Sequence, residues 1–121
     1  MRFAAILTPA LVGFGLLAGT AHAADMFAAI AFSPTSGQAG SAWNFETALL
    51  AETEAYLQCG SEDCYTAVIF NQCGAIAVGD GYGMGYGQDL SSATAIDLAL
   101  SSCSEYTTNC QITAAFCNEG Y

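Results

Sequence analysis

A pattern that occurs twice in the chain constrains its fold more than any other feature. The tripeptide Ala-Ile-Ala stands at 29–31 and again at 75–77, and turn residues and a second apolar segment follow each copy. Trp43 then corresponds to Tyr86 as the aromatic residue of that second segment. An alanine-rich stretch ending in cysteine, a polar loop with another cysteine and a further apolar run complete each copy. Because short apolar runs bounded by turn residues are typical of strands, the sequence predicts two strand-strand-helix-strand units in tandem.

These units predict one small α+β domain with an antiparallel sheet, its two copies covering about 27–73 and 74–117. Only Asn71 to Gly74 remain for the turn between the last strand of the first copy and the first strand of the second. Ser91 is the expected N-cap of the second helix, and Asp89 suits the positive end of its dipole. The predicted strands are 27–32, 39–45, 65–70, 111–116, one starting near 75 and one on the glycine-rich run that Tyr86 closes. The predicted helices are 47–58 and 92–102.

The six cysteines predict three disulfides, because an even number of cysteines in a small exported chain is typical of a disulfide framework. Cys59 and Cys64 are close enough for a metal site, but an oxidising compartment favours disulfides. Six cysteines alone allow fifteen pairings, and the repeat selects one of them. Equivalent cysteines should pair equivalently, which leaves one bond to join the two copies. The predicted pairs are Cys59–Cys64, Cys103–Cys110 and, between the copies, Cys73–Cys117.

A glycine-rich stretch follows the second Ala-Ile-Ala tripeptide. Side chains alternate between the two faces of a strand, so the glycines at 81, 83, 85 and 87 would leave one face bare. A bare face allows close approach, and we expect a helix of the same domain to pack there. The other face would carry Tyr82, Met84 and Tyr86. A phosphate-binding loop is not indicated, since such a loop leads directly into a helix and these glycines alternate with aromatic residues.

The first residues have the three-part pattern of a secretory signal peptide. Arg2 supplies a positive charge, residues 3–17 are almost entirely apolar, and Ala21-His22-Ala23 matches a cleavage site. We expect cleavage after Ala23, which leaves a single secreted or periplasmic domain at 24–121 with no membrane span.

Charge excludes several classes of function for this predicted domain. Arg2 and His22 are the only basic residues of the chain, whereas all eleven Asp and Glu residues come later. Nucleic acids and anionic lipids are therefore improbable partners, because both are bound mainly through Lys and Arg. Catalytic triads, Schiff-base lysines and arginine clamps are excluded on the same ground.

Three features together resemble a known family. They are the Cys-Gly-Ala-Ile-Ala segment that begins at Cys73, the Gly-Tyr-Gly-Met-Gly-Tyr-Gly run at 81–87, and alanine-rich helices that end in cysteine with another cysteine shortly after. They are similar to the domain of unknown function 4189, found in small secreted bacterial proteins. The resemblance covers residues 27–117 and implies a fold class without an activity. Members of that family usually carry basic helix residues, which this chain lacks.

Acid–base chemistry in the predicted domain would rest on carboxylates. No two of them are paired as a two-carboxylate hydrolase requires, and calcium-loop spacing is absent around Asp80. We expect these groups to be solvated: Glu62, Asp63, Asp80, Asp89 and Glu105.

The sequence favours a non-catalytic binding module without a cofactor or a metal site, whose partner is a protein or a glycan. A cation-responsive structural protein and, more remotely, a carboxylate-based hydrolase are the alternatives. Aromatic residues and Met are enriched where proteins bind one another, although the same residues could fill a small core. The candidate contact surface comprises Trp43, Tyr82, Met84 and Tyr86.

Overall fold

The computed structural model describes residues 25–120, so the predicted signal peptide lies outside the described residues. Two helices and six strands follow one another in the predicted order. They are β1 (Phe27–Phe32), β2 (Ala39–Phe45), α1 (Ala48–Cys59), β3 (Tyr65–Phe70), β4 (Cys73–Val78), β5 (Met84–Asp89), α2 (Ser92–Ser104) and β6 (Gln111–Cys117). The predicted α+β class is confirmed, and the predicted element boundaries agree with the structure within two residues.

The strands form two three-stranded antiparallel sheets, which we call sheet A and sheet B. Sheet A has the order β2-β1-β3 and sheet B the order β5-β4-β6. The central strands β1 and β4 are apolar on both faces and buried along almost their whole length. Such strands need cover on each side. Each sheet therefore carries a helix on one face and packs against the other sheet through its second face, which makes four layers: α1, sheet A, sheet B and α2.

The two sheets share their register as well as their strand order. Ala29 of β1 lies opposite Ile69 of β3, and Ala75 of β4 lies opposite Ala115 of β6. The register shifts directly after Ile30 in one sheet and directly after Ile76 in the other. These matched irregularities agree with the predicted internal repeat.

One predicted correspondence is wrong. Ile30 lies opposite Ser41, whereas Ile76 lies opposite Tyr86. Ser41, not Trp43, therefore occupies the position of Tyr86. The two copies carry their exposed aromatic residue at different places along the strand, because residue type is less tightly constrained at an edge strand than in the core.

Small residues let each helix approach its sheet closely. Ala51, Ala55 and Cys59 are the buried positions of α1, and α2 has Ala95, Ala99 and Cys103 in the same arrangement. Hydroxyl side chains cap both helices, since Thr47 accepts the Leu50 N–H and Ser91 accepts the Thr94 N–H. Asp89 accepts the backbone N–H of Ser91 at 2.9 Å, so it contacts the start of α2 as predicted.

Glycines of β5 lie directly under α2. A Cβ atom on Gly85 would collide with the backbone of Cys103, and one on Gly87 would collide with the backbone of Ala95 and Ala99. In sheet A, Gly40 lies in the same way under the last turn of α1. The prediction that a helix covers the bare glycine face is confirmed at these positions.

The bare face is shorter than the four alternating glycines indicate. Gly81 lies in a short 3₁₀ turn, Asp80–Tyr82, that precedes β5. Its φ of 66° is in the left-handed region, and no atom lies near the place of a Cβ. Gly81 thus serves the turn, because a left-handed backbone favours glycine.

Side chains from both sheets fill the layer between them. Ile30 and Phe32 come from β1, Ile76 comes from β4, and all three are buried. Phe70 of β3 and Phe116 of β6 also meet in this layer, with ring centroids 5.2 Å apart. Two residues, Asn71 and Gln72, connect β3 of sheet A to β4 of sheet B, because β4 already begins at Cys73. This link is shorter than the predicted turn at 71–74.

Three disulfides join the same cysteine pairs that the repeat predicts. Cys59–Cys64 and Cys103–Cys110 link the end of each helix to the loop that follows it. The third bond, predicted to join the two copies, does not connect the two sheets. Cys73 begins β4 and Cys117 ends β6, directly opposite one another in sheet B. It therefore clamps two neighbouring strands of one sheet, and hydrophobic contacts and hydrogen bonds hold the two sheets together.

Among residues 25–120, no helix is long and apolar enough to cross a membrane.

Candidate interaction surfaces

Trp43 stands at the outer strand of sheet A with half of its side chain exposed. One face of the indole packs on Phe116 of β6, with ring centroids 5.4 Å apart, and 52% of the side chain remains accessible. An open groove of about 500 Å³ runs beside it between β2 and α1. Its lining is mixed, with apolar strand residues on one side and Glu54 and Gln58 of α1 on the other. Phe116 thus supports the indole on one side, while the exposed half of the indole is accessible to a partner.

Tyr86 lies at the other side of the molecule. It projects from β5 beside residues 66–69 of β3 and lines a shallower groove of about 300 Å³. In the stacked sheets β2 lies over β6, and β3 lies over β5. Trp43 and Tyr86 therefore belong to opposite edges of the sandwich. The stacking of the two sheets thus places these two predicted contact residues on different sides of the molecule.

The two remaining predicted contact residues have internal packing partners. Met84 packs against the buried layer between the sheets. The ring of Tyr82 covers Gly37 in the turn between β1 and β2, although 45% of the side chain stays exposed. Of the four predicted contact residues, Trp43 and Tyr86 have the freest side chains and Met84 contributes to the core.

Asp63 fastens the turn between β1 and β2 to the Cys59–Cys64 loop. Its carboxylate accepts hydrogen bonds from the hydroxyls of Ser33, Thr35 and Ser61, at 2.7, 2.6 and 2.8 Å. These bonds favour the charged form, and the Thr35 hydroxyl has the largest effect. Together they lower the pKa of Asp63 to about 2. The carboxylate is held as an acceptor, which is a structural task.

Asp80 is occupied in a comparable way. Its carboxylate accepts hydrogen bonds from Thr108 at 3.0 Å and from the Asn109 amide at 2.8 Å. The backbone of Asp80 is also fixed, since its N–H donates to the Thr108 carbonyl and its carbonyl accepts the Thr107 hydroxyl. Within residues 25–120, no group of three or more Asp, Glu, His or Cys side chains is placed to hold a metal ion.

A buried amide that no sequence pattern indicated joins the two sheets. Asn118 donates to the carbonyls of Phe70 and Asn71, and its side-chain oxygen accepts the Asn44 N–H at 2.7 Å. Its own backbone N–H donates to the Gln72 carbonyl. Asn118 thereby connects the end of β2, the link between the sheets and the end of β6. Only its place directly after Cys117 could have indicated this role.

The candidate contact surface predicted from the sequence also did not include the outer face of α1. Leu49, Leu50, Tyr56 and Leu57 point away from the sheet, and Leu49 is 70% exposed. The helix thus buries its small apolar residues and exposes its large ones. A comparison of the two copies could have found this face, because the corresponding positions of α2 are Ala93, Thr94, Leu100 and Ser101.

The layers, the disulfides and the paired registers define a class of protein: a small disulfide-stapled α+β domain of two similar halves stacked sheet to sheet. The chain belongs to the family described as "Domain of unknown function (DUF4189)", whose model matches residues 27–117. The structure is similar to the NMR structure of Rv1813c from Mycobacterium tuberculosis, with a TM-score of 0.58 and 32% sequence identity. That match covers 76% of this chain and 74% of the other. A comparison with curated proteins finds no match.

Proposed function

We propose that this chain is a non-catalytic interaction module that binds an extended segment of a partner protein along β2. The half-exposed Trp43 beside the groove between β2 and α1 carries the proposal. β2 is an outer strand of its sheet, and such strands offer unpaired backbone groups to an added strand. A supported aromatic side chain supplies an apolar anchor next to those groups.

The hydrogen bonding of the loop carboxylates supports a binding role over catalysis. Hydroxyl or amide donors engage both Asp63 and Asp80, and Asp89 contacts the start of α2. A general acid of a hydrolase would need a raised pKa, whereas that of Asp63 is lowered to about 2.

We place the module outside the cytoplasm, in the periplasm or secreted, as a single domain at 24–121. Three disulfides favour an oxidising compartment. The signal-peptide pattern of residues 1–23 points the same way.

The fluorescence of Trp43 provides a direct test, because it is the only tryptophan of the chain. Random nonapeptides displayed on phage would be selected on the oxidised 24–121 protein and then titrated in solution. We expect selected peptides to shift or quench the Trp43 emission. Tyr86→Ala, at the opposite edge, should bind them as the wild type does. Trp43→Phe should weaken binding by about tenfold or more.

Two outcomes would contradict the proposal. Selected peptides that leave the emission unchanged and bind Trp43→Phe normally would place binding elsewhere. Selection of no peptide, together with a Trp43 response to a panel of soluble oligosaccharides, would favour a glycan-binding module instead.

A cation-responsive structural protein is the second candidate. Residues 25–120 contain eleven Asp and Glu side chains and no Lys, Arg or His, so external cations must balance them. Stabilisation by Ca²⁺ beyond that of Na⁺ at equal ionic strength would favour this candidate.

A further inference from the structure

The outer face of α1 is a second apolar surface, which lies next to the Trp43 groove because Glu54 borders both. Leu49, Leu50 and Leu57 are 70%, 51% and 63% exposed, and Tyr56 between them is 42% exposed. We call these four residues the α1 stripe. Residues seven apart lie on the same side of a helix, so Leu49 and Tyr56 form one pair and Leu50 and Leu57 another. The two pairs lie on neighbouring sides of α1, with the exposed Thr53 between them.

The second half of the molecule shows that the fold does not require such a stripe. α2 has the same buried positions and the same kind of N-cap as α1. The exposed leucines at 49, 50 and 57 correspond there to Ala93, Thr94 and Ser101, which are also exposed. α1 thus exposes three leucines to solvent, whereas α2 exposes one, Leu98, at 45%. Exposed apolar surfaces of this kind mark places where something binds.

Charge around the α1 stripe identifies the chemistry of what binds there. Glu52 and Glu54 lie in the same helix, and Glu46 and Glu62 flank its two ends. A shallow depression of about 220 Å³ continues the stripe beyond the helix and is lined by Tyr56, Leu57, Gly60, Ser61 and Glu62. An apolar wall with a carboxylate at its edge suits the long side chain of Lys or Arg.

The same charges disfavour a second copy of the chain as the occupant. Two stripes packed face to face would bring glutamates together, and residues 25–120 have no basic side chain to compensate them. We propose that the α1 stripe docks an amphipathic helix of another protein, apolar on one side and flanked by Lys or Arg.

An 18-residue peptide of Leu and Lys, with its leucines on one helical face, serves as the probe. The control peptide has the same composition in an order that spreads the leucines around the helix. Both would be titrated into the oxidised 24–121 protein in 150 mM salt. We expect the amphipathic peptide to bind about tenfold or more tightly than the control peptide.

Matched variants come from the chain itself. Leu49→Ala, Leu50→Thr and Leu57→Ser together copy the residues of α2, keep the net charge and alter only exposed positions. This triple variant should lose about tenfold or more in affinity for the amphipathic peptide. The reverse triple variant, Ala93→Leu, Thr94→Leu and Ser101→Leu, should gain affinity. Trp43→Phe should bind within about twofold of the wild type, which separates this surface from the Trp43 groove.

Several results would overturn the proposal. Equal affinity of the wild type and the first triple variant would show that charge alone attracts the peptide. Sedimentation of the wild type as a dimer that the triple variant abolishes would make a second copy the occupant. Flotation of the wild type, but not of the variant, with phosphatidylcholine vesicles would make the occupant a lipid surface.

Discussion

In each half of the molecule a carboxylate links the turn between the first two strands to the disulfide loop. The carboxylate belongs to the loop in the first half and to the turn in the second. In the first half Asp63 belongs to the disulfide loop and receives hydroxyl groups from the turn between β1 and β2. In the second half Asp80 belongs to the turn, and Thr108 and Asn109 of the disulfide loop donate to it. In both halves a carboxylate therefore links the turn to the disulfide loop, but the loop carries the acceptor in the first half and the donors in the second. Asp63 and Asn109 occupy equivalent positions, each directly before the second cysteine of its loop, but Asp63 accepts hydrogen bonds whereas Asn109 donates one.

At the residue scale, Asp63→Asn should make the free energy of unfolding less dependent on pH below about 4. The folded state lowers the pKa of Asp63 to about 2, so the carboxylate stabilises the fold above its ordinary pKa. That stabilisation is lost as the pH falls from about 4 through about 2. We expect the variant to be less stable than the wild type at pH 7, with a difference that shrinks across this window.

Urea unfolding at pH 7, 4, 3 and 2 measures the effect, and Asp97→Asn on the exposed side of α2 is the control. A difference between wild type and Asp63→Asn that stays constant over this range would show that the hydrogen bonds do not depend on the charge.

At the element scale, the sequence predicted helix packing best where small residues leave room for a close approach. Alternating glycines predicted the bare face of β5 on which α2 packs. Their packing is a local consequence of size, which a single chain displays directly. The positions of Trp43 and Tyr86 relative to one another could not be predicted, because the stacking of two sheets brings them to opposite edges. That arrangement depends on contacts between distant strands, and no local pattern encodes it.

Gly85→Ala tests the close approach of β5 and α2. The added methyl group would meet the backbone of Cys103, which cannot move aside as a flexible side chain would. We expect a loss of about 1–3 kcal/mol in the free energy of unfolding. Gln88→Ala, an exposed position on the same strand, should change it by less than about 0.5 kcal/mol. Equal effects at both positions would mean that α2 does not rest on the glycine face.

The disulfides are expected to contribute unequally. In the chain-entropy model the 44-residue separation of Cys73 and Cys117 stabilises by about 4 kcal/mol, and each short loop by about 2 kcal/mol. Replacement of Cys73 and Cys117 by alanine should therefore lower the melting temperature more than replacement of Cys59 and Cys64, or of Cys103 and Cys110. Comparable melting temperatures for the three double variants would contradict the model.

At the scale of the whole molecule, charge repulsion is the main electrostatic feature. Eleven carboxylates in residues 25–120 face no basic side chain. Because salt screens exposed charges over about 10 Å at 0.1 M, the melting temperature should rise between low and physiological ionic strength. A variant with Glu62→Gln, Asp97→Asn and Glu105→Gln should show a smaller rise. A melting temperature that is independent of NaCl concentration would show that these charges are too far apart to matter.

The location of the disulfides determines how the chain could be divided. Cys59–Cys64 lies before the two-residue link between the sheets, and Cys73–Cys117 and Cys103–Cys110 lie after it. A chain cut between Asn71 and Gln72 would leave every cysteine with its partner on the same fragment. Each fragment would keep its own three strands and helix, and one apolar sheet face of each would await the other. Each half of the chain can therefore form its disulfides without the other half. We expect that the two fragments, expressed and oxidised separately, reassemble when they are mixed.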